Sequence, residues 1–257
     1  MGQESSIQSA EPLHISIGQV PMSLLFAEEG LREKAVSRYR DFAGASDGLQ
    51  IRLNQPVTTF AESPEFEYTL DDAGLRLHES EAEFRGVRHE YALDSLIRIL
   101  LTVRLLPEQG FLLHAASIVR DGRAYIFMGR SGAGKSTVAS LSPEGSVLTD
   151  EISLVRFQDG EWRAHGTPFW GEFRAAGHNH DYPVAGIYCL TQARENRIER
   201  MLPRDVLRAM LPCVLFFSSD ATANSLLLGL LVEFLGQVPC HRLHFLKDSS
   251  FWDVVAS

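Results

Sequence analysis

Eight consecutive residues carry the clearest chemistry in this chain. Gly129-Arg130-Ser131-Gly132-Ala133-Gly134-Lys135-Ser136 fits the spacing G-x-x-x-x-G-K-[ST]. Glycines at these places let successive backbone N–H groups turn inward around phosphate oxygens, and a helix starting at the lysine adds positive potential. Lys135 is expected to reach the β- and γ-phosphates of a nucleotide and the Ser136 hydroxyl to ligate Mg²⁺, with Thr137 closing the binding stretch. With this content of Gly, Lys and Ser/Thr, the pattern would arise by accident in about 0.002 of chains. Lysine is scarce here: Lys34, Lys135 and Lys247 stand against 21 arginines, and one of the three falls in the motif.

A magnesium-bound triphosphate also needs a carboxylate, usually where an apolar strand ends. Asp150-Glu151 follows Val147-Leu148-Thr149 and lies just downstream of the motif. Asp150 is read as a metal ligand, direct or through water, or as a general base; the alternative is a charged strand edge. Glu151 is a second metal candidate, opposed by the rule that adjacent strand residues face opposite ways. His114 stands between Leu113 and Ala115 upstream of the loop. Its residue type alone fits a core histidine better than a site residue.

The elements around these residues are legible in outline. FLLHAASIVR and RAYIFMG are β-rich runs separated by Asp121-Gly122, a strong hairpin signal, so the strand before the loop has an antiparallel neighbour. KSTVASLS is the helix after the loop. SVLTDEISLVRF reads as one further strand, turning at Gln158-Asp159-Gly160 into EWRAHG. The expected core is therefore α/β, with a phosphate loop set in a mixed, hairpin-rich sheet. Upstream, LHISIG, LQIRLN, FEYTL and LRLHES alternate with period two and predict a small, mainly antiparallel β region, with LREKAVSRYRDFA as an intervening helix. Leu93, Leu96, Ile97, Leu100 and Leu101 recur at helical spacing, ending at Pro107 and Gly110. This divides the chain into a disordered leader (1–11), a β-rich region (12–88), a linking helix (89–109) and the loop-bearing domain (110–257). Downstream, AGIYCLTQARENRIERMLP reads as a buried strand with an arginine-rich continuation. Arg194, Arg197 and Arg200 are candidates to meet phosphate, or else a solvated face. LLLGLLVEFLG reads as a core helix, and the aromatics at 168–170 and 251–252 as core, with the lining of an acceptor groove as the alternative.

Composition bounds the function. The 257 residues carry a formal charge of −9, which argues against nucleic acid as partner. No stretch approaches the length of a membrane span, and MGQESSIQSAEP lacks the basic and apolar regions of a signal peptide. The cytoplasm is the expected compartment, with Cys189, Cys213 and Cys240 as buried free thiols.

The histidine-bearing strand, tight turn, phosphate loop, short helix and acidic pair resemble the catalytic domain of HPr kinase/phosphorylase and its bacterial relatives, which include lasso-peptide precursor kinases. ATP-dependent phosphoenolpyruvate carboxykinase shares the fold type. The resemblance runs from about Gly110 to the C-terminus and is specific from Leu112 to Glu151. It implies that His114 is the family's active-site histidine, that Lys135 and Ser136 are its phosphate lysine and Mg²⁺ hydroxyl, and that Asp150 is its base toward the acceptor hydroxyl. Glu172 aligns loosely with the family's metal-binding glutamate. The chain departs from the family in Ser136-Thr137 for Ser-Glu and in Asp150-Glu151 for Asp-Asp, and it lacks the Glu-Ile-Arg-Gly segment linked to phosphorolysis.

The resulting expectation is an ATP- and Mg²⁺-dependent kinase acting on a hydroxyl, with serine of a peptide or protein as acceptor. A nucleotide-dependent peptide-binding module and a small-molecule kinase acting on an alcohol such as free serine stay open beside it, as does a homo-oligomer.

Overall fold

A computed structural model describes residues 11–55, 64–70, 72–143, 145–171 and 177–255. The chain divides into two compact units, 1–100 and 101–257. The leader through residue 10 and Glu172 lie outside the described residues.

In the first unit, β1 (Leu13–Ile17), β2 (Val20–Phe26), β3 (Leu49–Leu53), β4 (Phe66–Leu70), β5 (Ala73–Leu77) and β6 (Glu81–Arg85) form a sheet of order β1-β2-β3-β6-β5-β4. The expected β4–β5 hairpin is present. The sheet is mixed: β1–β2, β4–β5 and β5–β6 are antiparallel, as expected for most of it, while β2–β3 and β3–β6 are parallel. The helix α1 (Glu29–Tyr39) makes the parallel crossover from β2 to β3, and the β4–β5 hairpin lies in the connection from β3 to β6. Alternation buries Ile15, Ile17, Ile51, Leu53, Leu75 and Leu77 on the covered face. The division between units falls within α2 (Glu90–Leu105), the helix that the Leu/Ile spacing predicts.

The second unit is built on β7 (Gly110–Arg120), whose eleven residues change partner midway. Ala115–Arg120 pair with β8 (Arg123–Met128), joined by a turn in which Asp121 and Gly122 both have positive φ, 51° and 72°. Such a turn matches the right-handed twist of the two strands it joins. The short helix α3 (Lys135–Ser140) follows. The expected single strand 146–157 is two: β9 (Val147–Thr149) pairs with the second half of β7, and β10 (Ile152–Gln158) with Gly110–His114. Thr149 makes the break. Its Oγ1 accepts the backbone N–H of Glu151 and of Ile152, at 3.4 and 3.3 Å, so Asp150 and Glu151 sit in a bend instead of alternating along a strand.

Beyond β11 (Glu161–His165), the long β12 (Asp181–Gln192) runs parallel to β8. The arginine-rich continuation is a strand, β13 (Arg197–Arg200), followed by α4 (Pro203–Met210), β14 (Val214–Leu215), α5 (Ala221–Gln237), β15 (Cys240–Phe245) and α6 (Phe251–Val255). The main path is β11-β10-β7-β8-β12-β15-β13, and β11 also pairs with β12, so part of it closes on itself. Together with the first sheet this is a mixed α/β architecture made mostly of strands. One face packs Ile126, Met128, Ile187 and Cys189 against Phe234, Leu231 and Met210; the other packs Phe127, Leu190 and Phe245 against Val138, Phe251 and Trp252. Phe169 is buried, and so are Phe251 and Trp252. The helix α5 is core on one side only, with Leu226, Leu228 and Val232 exposed. No described helix is long and apolar enough to cross a membrane.

His165 ends β11 where the chain turns toward the acidic bend. It is buried, its Nε2 lies 2.8 Å from Gln158 Oε1, and desolvation pushes its pKa down to about 4. A folded value below the unfolded one near 6.5 means that its contribution is complete above that pH and is lost as pH falls toward 4. The penalty reaches about 3 kcal/mol. His165→Gln is expected to flatten the loss of stability between those pH values, read as denaturation midpoints against pH. An unchanged acid limb would contradict it.

Candidate functional site

The carboxyl ends of the parallel strands β8 and β12, with Arg242 from the neighbouring strand β15, border a cavity of about 780 Å³. Crevices at such ends are where open α/β sheets take ligands. Four of its lining residues belong to the segment singled out from the sequence: Gly129, Arg130, Ser131 and Ala133. The loop they form is tightly closed. A Cβ at Gly129 would stand 2.7 Å from that of Ala133, so a side chain there forces the loop open. Gly134 has φ +116° and caps α3, a backbone state that L side chains rarely adopt. Gln192 Nε2 holds the outer turn by donating to the Gly132 carbonyl at 2.6 Å.

Lys135 opens α3 and is only 8% exposed. Its Nζ crosses back to donate to the Gly129 carbonyl at 3.0 Å, and among the described residues no carboxylate pairs with it. A buried ammonium without a counter-ion is costly, so a site of this kind is suited to an anion. The Lys135 cation stands at the start of a helix, a place suited to an anionic group, while within the loop the Ala133 N–H is bonded to the Arg130 carbonyl at 3.0 Å. Ser136 and Thr137 follow in the first turn of α3, half-buried.

His114 also lines the cavity. Its Nδ1 lies 3.6 Å from Glu151 Oε1, and both side chains are partly exposed. Ala115 N–H donates to the Glu151 carbonyl at 3.1 Å, fastening the bend to β7. Asp150 is 2% exposed, and its Oδ1 accepts the Gly171 N–H at 3.0 Å. Gly171 also lies against Glu151, since a Cβ added there would be 2.2 Å from Glu151 Oε2. The two acidic residues therefore converge on one backbone position, contrary to the expectation that they face apart. Thr167 supports the bend, donating to the Ile152 carbonyl at 2.8 Å and lying 3.3 Å from Thr149 Oγ1.

Among the described residues no three His, Cys, Asp or Glu side chains come together as a metal cluster. Magnesium bound with a nucleotide does not need one: it commonly takes one or two protein oxygens, several waters and the phosphates. The Ser136 hydroxyl and the acidic bend supply oxygen donors of the right hardness.

Of the arginines considered from the sequence, Arg197 pairs with Glu199 on β13 and Arg200 lines a separate cavity of about 580 Å³. The cations at the main cavity are instead Arg130, Arg208 of α4 and Arg242 of β15. Arg242 arrives through register, opposite Cys189 on the neighbouring parallel strand. No local signal marks it, because CHRLHF reads only as a strand. The three cysteines are free and buried. Burial pushes Cys189 up to about 12 and Cys240 up to about 11. It also raises Cys213, although the Lys135 ammonium and the Gly129 backbone act the other way. These groups are thiols at neutral pH.

Fold and site together define a mixed α/β chain whose glycine-rich turn, buried lysine, histidine and acidic bend gather in one unit. The family described as SynChlorMet cassette protein ScmC matches residues 89–212, just under half of the chain. The matched span includes His114, the glycine-rich turn, Asp150, Glu151 and Gly171. No curated protein matches the chain.

Proposed function

We propose that this protein is an HPr kinase-like phosphotransferase that moves the γ-phosphate of ATP to a hydroxyl, with serine of a peptide or protein as acceptor. The observation that carries the reading is Lys135: a buried ammonium, held by a carbonyl and lacking a carboxylate partner among the described residues, in a glycine turn beside a cavity. Bound ATP·Mg²⁺ supplies the activated phosphoryl group and neutralises part of its charge. The chain's own groups position and stabilise. Loop N–H groups and Lys135 hold the β- and γ-phosphates, and Ser136 offers a hydroxyl to the metal. The acceptor hydroxyl gives its proton to the Asp150 carboxylate while its oxygen takes the phosphoryl group, leaving ADP. His114, oriented by Glu151, donates a hydrogen bond at the acceptor or the transferring group. Catalysis of this kind is chiefly positioning and charge neutralisation.

The test is incubation with γ-labelled ATP, Mg²⁺ and hydroxyl-bearing peptides. Label on peptide serine is the expected result. Label on free serine alone would make this a small-molecule kinase. Tight ATP binding with label transferred only to water would replace the kinase with a nucleotide-dependent binding module.

A further inference from the structure

The cavity carries more positive charge than the loop explains. Arg130, Arg208 and Arg242 line it, and Asp205 is the one carboxylate among its described lining residues. The acidic side chains nearest these arginines are divided among several cations. Glu199 is shared by Arg197, His244 and Arg242, with the Arg242 contact at 3.9 Å. Asp205 is shared by Arg204 and Arg208, at 3.8 and 3.6 Å. Neither Arg208 nor Arg242 is therefore neutralised by a close partner of its own. Their side chains are 79% and 44% exposed, so both can meet a ligand. This local excess stands against a chain charge of −9, which makes it a feature of the site and not of the surface at large. Met128, Leu190, Met201 and Pro212 give the same cavity an apolar lining.

In the proposed reaction the nucleotide phosphates are met by the loop, Lys135 and the metal. Arg208 and Arg242 come from α4 and β15, elements outside the loop and its helix. We propose that these two arginines bind the acceptor, and that the acceptor is an acidic peptide segment with Asp or Glu beside its hydroxyl residue. Two separated guanidinium groups over an apolar lining suit carboxylates flanking a short, partly apolar stretch. Such pairing sets partner choice and approach more than raw affinity. The inference rests on the kinase reading for its acceptor, but binding can be measured without any transfer.

The probes are two labelled peptides, Gly-Glu-Glu-Ser-Glu-Glu-Gly and its all-glutamine counterpart, followed by fluorescence anisotropy, with a fluorescent ATP analogue titrated separately. The acidic peptide is expected to bind about tenfold tighter than the glutamine one, an advantage that shrinks as salt screens exposed charges. Arg208→Glu, a change on an exposed helix face, should remove that advantage, and Arg242→Gln should reduce it severalfold. ATP-analogue affinity should change by less than about twofold in both, since partly exposed charges act over short range in salt. Equal affinity for the two peptides overturns the proposal. So does an equal loss of ATP analogue in the arginine variants, which would assign them to the nucleotide. Displacement of the peptide by a neutral serine peptide at the same concentration overturns it as well. Failure of the kinase reading looks different: no ATP binding in wild type, with the acidic preference intact.

Discussion

Lys135→Met is expected to cost about 1,000-fold in phosphoryl transfer while leaving the protein at least as stable as wild type. The functional loss follows from removing the one side-chain cation that the proposal sets against the β- and γ-phosphates, in a buried place where charge acts strongly. The stability expectation has a separate origin. The Lys135 ammonium is buried, and its partner is a neutral carbonyl, Gly129 O at 3.0 Å. Burying a cation against a carbonyl offsets little of its lost hydration. Methionine keeps most of the length and flexibility of lysine without the charge, so the core around α3 keeps its packing. Thermal unfolding should give a midpoint at or above that of wild type, and equilibrium titration should show nucleotide affinity reduced at least about tenfold, the loss of one charge-assisted contact. Undiminished ATP·Mg²⁺ binding by the variant would remove the loop from the nucleotide site. A sharply lowered midpoint would mean that Lys135 is chiefly structural.

How far the sequence could be read depended on whether an element is specified locally. The β7–β8 hairpin was legible because Asp121-Gly122 encodes its own geometry, and α2 because its apolar spacing belongs to one helix. The glycine-rich turn leading into α3 was legible for the same reason, its glycines and lysine being contiguous. What escaped is set by pairing at a distance. The parallel β2–β3 and β3–β6 ladders depend on where α1 and the β4–β5 hairpin return the chain, which alternation in each strand does not record. The break between β9 and β10 depends on a threonine hydroxyl competing for backbone amides in an otherwise strand-like run. Arg208 and Arg242 join the cavity through an amphipathic helix and a parallel register, far from the motif. His114 could not be separated from a core histidine by residue type; its place at the cavity, with Glu151 beside it, is a tertiary fact.

That tertiary fact also sharpens the choice between the two carboxylates. Asp150→Asn is expected to lower the maximal rate of transfer about 100- to 10,000-fold, the range for removing a general base. Its effect on the affinity for metal-free ATP should stay within about threefold, because no bond from Asp150 to the phosphates is invoked. Asparagine suits the test because its side-chain oxygen can still accept the Gly171 N–H, as Asp150 Oδ1 does at 3.0 Å. The backbone against the acidic bend then stays where it is, and the loss reports the missing charge. Asp150→Ala removes that acceptor too and should lower stability by a further ~1 kcal/mol, the net worth of a hydrogen bond to a half-buried donor. Glu151→Gln should cost only about tenfold, since it weakens the 3.6 Å contact that orients His114 and leaves the proposed base in place. The burial of Asp150 makes the comparison informative. Asp150 is only 2% exposed, whereas the Glu151 side chain is 30% exposed and lies 3.6 Å from His114, which lines the cavity. A larger loss in Glu151→Gln than in Asp150→Asn would therefore transfer the role of base to Glu151 and leave Asp150 as the anchor of the bend.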